Sequence, residues 1–112
     1  MINSQNSVLG PKDKVQISIS CRNLVDLDIV TVSDPEVHVY MKNSKDAKYF
    51  LIGKTEMIDN NLNPDFTTTF NLDFFFEKQQ YLKFEVYDVD QKGLEHIGDC
   101  ETTISKIMGS SR

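Results

Sequence analysis

Residues 25–35, "VDLDIVTVSDP", set three aspartates, Asp26, Asp28 and Asp34, around an apolar tip of Ile29, Val30 and Val32. Far downstream, "YDVDQKGLEHIG" (87–98) places Asp88 and Asp90 two apart at the end of a strand-like run, followed by Glu95. In an extended chain a spacing of two points both carboxylates to the same side. If the two turns lie at one end of a sandwich, Asp28, Asp34, Asp88, Asp90 and Glu95 converge. Carboxylates gathered this closely need either proton uptake or a hard cation with oxygen ligands. Ca²⁺ takes about 6–8 oxygens in flexible geometry and suits acids drawn from loops, whereas Mg²⁺ demands a tighter octahedron. The alternative at this stage is plain: aspartates in β-connections are ordinary turn formers facing water.

Other chemistry finds less footing. "DVDQKGLEHIGD" (88–99) matches an EF-hand loop at Asp88, Asp90 and Gly93, but Lys92 stands where a ligand is required and Asp99 where a Glu is usual. Its flanks read as strands, so the EF-hand reading fails. Cys21 and Cys100 are too few for a disulfide framework, and His38 and His96 lack zinc-ligand spacing. Both cysteines are expected to be small buried residues of strands. His38 alternates with Val37 and Val39 and is expected to face outward, while His96 neighbours the second acidic turn, where protonation in mild acid would change the local charge. No nucleophile–base pair and no glycine-rich phosphate loop is present, so an enzyme is not expected. A net charge of −5 argues against bulk nucleic-acid binding and against contact with an anionic membrane unless something cancels it.

The elements that must position these acids are short and β-like. "VQISISC" (15–21) and "EVHVYM" (36–41) alternate apolar and polar residues, as does "YLKFEVYD" (81–88). "KYFLIGKTE" (48–56), "DFTTTFNLDF" (65–74) and "HIGDCETTI" (96–104) supply three more runs, and a short helical turn fits "ISKIM" (104–108). Turn residues fall between them: Asn43-Ser44, Asn60-Asn61 with Asn63-Pro64, the charged "EKQQ" (77–80), and Lys92-Gly93. With 112 residues, 39% hydrophobic and 26% charged, the chain is expected to form one domain, an all-β antiparallel sandwich. Six strands would leave sheet edges bare. Residues 1–13 read as a flexible leader without the features of a secretory signal, and no apolar run approaches the ~20 residues of a spanning helix. An intracellular protein is therefore expected.

"DLDIVTVSDPEVHVYM", "GKTEMIDNNLNPDFTTTF" and "LKFEVYDVDQKG" resemble the C2 domain, with the S-D-P step, the N-x-N-P-x-F turn from Asn61 to Phe66 and the V-Y-D-x-D strand end in the family's order. More narrowly, "SISCRNLVDLD" with "SDP", and "TEMIDNNLNPDF", are similar to the first C2 domain of a copine. The resemblance implies a C2-type β-sandwich over 14–108, lacking its last one or two strands, with 109–112 as a tail.

It also implies a function: a calcium-dependent phospholipid-binding module, cytoplasmic and recruited to membranes when Ca²⁺ rises. Asp28 and Asp34 match the first-loop ligands, and Asp88 and Asp90 match the first two of the third loop. The family's last third-loop ligand is usually Asp one residue further along, so Glu95 stands in for it. Ca²⁺ would bridge these acids to anionic headgroups, while Ile29, Val30 and Leu94 enter the headgroup–acyl boundary. Lys42, Lys45, Lys48 and Lys54 occupy the region where many C2 domains show a basic face, a weaker anionic-lipid patch. The alternative is a calcium-independent C2 domain serving as a protein-interaction scaffold, favoured if Glu95 does not complete the site.

Overall fold

The structure, a computed structural model, describes residues 12–26 and 32–109. Six strands and one helix follow in order: β1 (Lys12–Ser20), β2 (Pro35–Lys42), β3 (Phe50–Lys54), β4 (Asp65–Phe75), β5 (Tyr81–Asp90), β6 (Gly93–Thr103) and α1 (Ile104–Gly109). They form two antiparallel sheets, one of order β1-β4 and one of order β3-β2-β5-β6. The expected sandwich and all six strand runs are present. The first strand begins at Lys12, so residues 12 and 13 belong to the sheet and not to the leader.

Period-two alternation builds the interior. Val37 and Val39 of β2 are buried at 0% and 1% exposure, and Leu82 of β5 is fully buried. Facing them, Phe66, Phe70, Leu72 and Phe74 of β4 stand at even spacing beside Val15, Ile17 and Ile19 of β1. One cluster gathers Ile17, Phe74, Leu82 and Ile104, the other Val37, Val39 and Phe66, with Ile19, Ile52 and Phe84 touching both. The helix is short because it serves as a plug: Thr103 caps it by accepting from the Lys106 amide, and Ile104 fills the core at 1% exposure. No helix among the described residues is long and apolar enough to cross a membrane.

Four side chains behave differently from their sequence expectation. Gln80 of the "EKQQ" turn is buried at 3% exposure, accepting from the Phe75 amide (3.0 Å) and donating to the Asp73 carbonyl (2.8 Å). It closes the β4–β5 connection from inside, which its polarity concealed. His38 does sit on the outer face of its sheet, but Glu36 (2.8 Å) and the Tyr87 ring (4.7 Å) leave its side chain only 12% exposed. The cysteines are not core residues: Cys21 follows β1 and is half-buried, and Cys100 on β6 is exposed. Both line an open apolar groove of about 550 Å³ between β1 and the β5–β6 pair, because two strands face four and β1 has a partner on one edge only among the described residues. Burial, and next the neighbouring Cys100, pushes the Cys21 thiol above its ordinary value, so the groove does not activate it as a nucleophile.

Candidate metal centre

The inward row of β5 runs Leu82, Phe84, Val86, Asp88 and Asp90. Three apolar residues pack on the core, and the same alternation then delivers two acids to the end of the sandwich. Asp88 lies opposite Glu95 on β6, and Asp90 lies opposite Gly93. Between them the chain reverses through Gln91 and Lys92, with the Asp90 carboxylate accepting the Lys92 amide at 2.8 Å. Gly93 takes φ +126°, a conformation closed to most side chains, and so lets the hairpin turn tightly. A register shift just before the acids, from Val86 opposite Gly98 to Tyr87 opposite His96, leaves Ile97 of β6 as the extra residue of a bulge.

The second acidic segment meets the first through β2. Pro35 lies opposite Asp88, as a proline can at the first residue of a strand. The Asp34 amide donates to Asp88 Oδ1 at 2.9 Å, and the Val89 amide returns a bond to the Asp34 carbonyl at 3.0 Å. Asp34 Oδ1 in turn accepts the Asn60 amide at 2.7 Å. Asn60 stands at φ +50°, a conformation that Asn tolerates better than other side chains. The Asn61–Pro64 turn anchors this loop: Asn61 Oδ1 accepts the Asn63 amide, and the Pro64 carbonyl accepts the Cys21 amide. Asp34 therefore shares the pole of Asp88 and Asp90, and the acids are held in place by backbone bonds.

Asp88 is 0% exposed. One of its oxygens is satisfied by Asp34, but Oδ2 is buried and has no hydrogen-bond donor among the described residues. Such an acceptor is costly unless a cation or a donor completes it. One oxygen each from Asp88, Asp90 and Glu95 lies within 4.8 Å of the others. With Ca–O distances of about 2.3–2.6 Å, oxygens on one coordination sphere are at most about 5 Å apart, so the three acceptors fit a single Ca²⁺. Asp90 and Glu95 are exposed, which leaves the site open on its outer side.

The remaining sequence-derived candidates are distributed unevenly. Asp28, Ile29 and Val30 lie outside the described residues. Leu94 stands on the hairpin beside Glu95 and is 51% exposed; Val25, not singled out by sequence, is 62% exposed on the connection that leads toward Asp34. Asp26 contacts Ser33 Oγ at 3.4 Å. The four lysines do not form one patch. Lys54 approaches Glu36 at 3.7 Å, whereas Lys42, at the far end of β2, donates to the Lys45 carbonyl and lies 4.6 Å from the Tyr49 ring. Lys45 and Lys48 occupy the β2–β3 connection, at the pole opposite the acids.

Sequence reasoning passed over two residues that brace this pole. Thr55, buried at 3%, accepts the Val37 amide, and Glu56 reaches β4, where its carboxylate accepts both amides and both hydroxyls of Thr67 and Thr68. Those bonds hold the Glu56 carboxyl down at about 2. An exposed-looking "TE" pair gives no hint of this, since the partners are distant in the chain.

Residues 14–112 match the family model of the C2 domain. Copine-A of Dictyostelium discoideum is 43% identical across 88% of this chain, which corresponds to 16% of that protein. Nicotinic receptor-associated protein 1 of Caenorhabditis elegans is 43% identical across 90% of the chain and 19% of its own length. The chain thus spans less than a fifth of these curated relatives. Among solved structures, a C2 domain of plant Extended Synaptotagmin 1 superposes with a TM-score of 0.67 at 25% identity, over 83% of this chain and 70% of that one. Human GIVD cytosolic phospholipase A2 superposes with a TM-score of 0.66 over 85% of this chain and 14% of that one, its 19% identity bearing on the fold alone.

Proposed function

Because this chain belongs to the C2 domain family, and within it is similar to copines, we propose that it is a Ca²⁺-dependent phospholipid-binding module. The observation that carries the reading is Asp88: its Oδ2 is a buried carboxylate oxygen without a donor among the described residues, and the same carboxylate brings an oxygen within 4.8 Å of oxygens of Asp90 and Glu95. A scaffold that never meets a cation would have to carry that unsatisfied acceptor for nothing.

Asp34, Asp88, Asp90 and Glu95 would hold the ion, with Asp28 completing the set. Ca²⁺ supplies charge neutralisation and open coordination positions that accept lipid phosphate or carboxylate oxygens. Without it the acids repel anionic lipid; with two ions bound, about five negative charges fall to about one. The apolar rim acts only after that change. Leu94 and Val25 stand exposed beside the acids, joined in the sequence by Ile29 and Val30, and their partial burial in the headgroup–acyl boundary adds affinity. No large rearrangement is needed, since Asp34 and Asp88 are already bonded to each other's strands. On this reading the chain is a targeting part and not an enzyme, and it moves from cytosol to membrane as Ca²⁺ rises.

Co-sedimentation with phosphatidylserine-containing vesicles, in Ca²⁺ and in chelator, tests it. Pelleting with Ca²⁺ alone is expected, and equal pelleting under both conditions rejects the switch.

A further inference from the structure

Two open sheets have four edges, and among the described residues three of them are guarded against pairing with another chain. The free edge of β1 opens into the apolar groove beneath Gly98 and Cys100 of β6, so a rigid second sheet would collide with that strand. β4 is capped where Glu56 accepts the amides of Thr67 and Thr68. β6 carries the exposed acids Asp99 and Glu101 on its outer row, opposite Glu85 and Lys83, and edge charges of one sign repel a second copy. The fourth edge, β3, has no such guard.

β3 pairs with β2 alone among the described residues. Its exposed side chains are apolar: Phe50 is 50% and Leu51 54% exposed. The edge runs on past Lys54, because the Thr55 and Ile58 amides donate to the Val37 and Pro35 carbonyls, and this brings the exposed Met57 onto the same line. Lys54 has Glu36 at 3.7 Å to offset its charge. Nothing overhangs this edge. A Cβ added at Gly53 would stand 2.8 Å from the Phe70 ring of β4, so β4 lies directly under β3 and the two sheets end flush.

The strand is also complementary to itself. Leu51, opposite Tyr40, faces outward; Phe50, opposite Met41, and Ile52, which touches both core clusters, face inward. An antiparallel pair centred on Leu51 sets Leu51 against Leu51 of a second copy, and Phe50 against its Ile52. Every side chain then keeps its face, as a register must when one face is buried. We infer that the β3 edge joins two copies of this chain across a two-fold axis, with Leu51 meeting itself. Such a contact closes on itself, whereas a head-to-tail contact would propagate. Three paired residues and Met57 bury less than about 1,200 Å² in total, the range of transient association, so the pair forms and parts with concentration. Antiparallel pairing reverses one copy, and the two acidic poles therefore point in opposite directions.

Sedimentation equilibrium in chelator, at about 0.15 M salt to screen the net charge of −5 on each copy, reads the mass directly. The mass is expected to rise toward twice that of one chain between about 10 μM and 1 mM. Leu51→Glu and Leu51→Lys are each expected to stay single, because like charges then meet at the axis, and to melt with the original chain because the side chain is exposed. Mixed in equal amounts, the two variants are expected to regain the doubled mass. In a chain carrying Cys21→Ser and Cys100→Ser, Leu51→Cys is expected to link into a disulfide dimer in oxidised glutathione, since opposed Cα atoms of an antiparallel pair stand about 4.5–5.5 Å apart. Phe76→Cys, equally exposed on the β4–β5 turn, is not. The cross-link keeps the test decisive if a charged variant fails to fold. An original chain that stays single overturns the inference and leaves the edge to a strand of another protein. A Leu51→Glu chain that doubles its mass, a mixture that stays unpaired, or equal cross-linking through position 76 also overturns it. No readout involves a cation or a lipid, so the calcium reading stands or falls separately.

Discussion

Replacing Asp88 by Asn separates a residue kept for folding from one kept for a cation. Asp88 is 0% exposed, its Oδ1 accepts the Asp34 amide at 2.9 Å, and its Oδ2 has no donor among the described residues. A buried acceptor left unsatisfied costs about 1–3 kcal/mol, and the cost is greater when it is charged. Asn keeps the Oδ1 acceptor, removes the charge, and puts an amide donor in place of the unsatisfied Oδ2 on a side chain that has an oxygen within 4.8 Å of oxygens of Asp90 and Glu95. The variant in chelator should therefore be more stable by about 1–2 kcal/mol, which for a domain of this size raises Tm by about 4–8 °C per kcal/mol. Calcium reverses the order. At a ligand concentration a hundredfold above Kd the original chain gains about 2.7 kcal/mol, while the variant, short of its most buried anionic ligand, gains less than about 1 kcal/mol. Thermal unfolding followed by circular dichroism, with chelator and with Ca²⁺, should give melting curves that exchange places. A variant that melts below the original in chelator, or an equal calcium shift in both, refutes the reasoning.

Glu56→Gln should cost about 1.5–3 kcal/mol near neutral pH, since it weakens charge-assisted bonds to Thr67 and Thr68. Because the folded carboxyl is lowered from 4.5 to about 2, its contribution is present above 4.5 and disappears as pH falls toward 2; denaturant titrations should show the gap between the two chains closing over that range. Leu94→Ser should weaken vesicle binding by about five-fold, roughly 1 kcal/mol of apolar burial, while calorimetric Ca²⁺ binding without lipid stays unchanged. Gly53→Ala should destabilise the chain by about 1–3 kcal/mol, because an added Cβ would stand 2.8 Å from Cε1 of the half-buried Phe70 ring; an unchanged denaturation midpoint would show that the ring moves aside freely.

What the sequence determined by itself is what a period can carry. Alternation in "EVHVYM" and "YLKFEVYD" fixes which residues face inward, and the same period places Asp88 and Asp90 on one side of the strand end. Turn chemistry at Asn63-Pro64 and Lys92-Gly93 locates the reversals, because few residues accept those backbone conformations. Only the tertiary structure decided what distant segments do to one another. The bond from the Asp34 amide to Asp88, the grip of Glu56 on Thr67 and Thr68, and the burial of Gln80 all join residues whose proximity is set by sheet order and register. The same holds for His38, which alternation put on the outer face but which Glu36 and Tyr87 cover there. Hydrophobic period is a local property; a carboxylate's partners depend on which strand ends antiparallel pairing brings to the same rim.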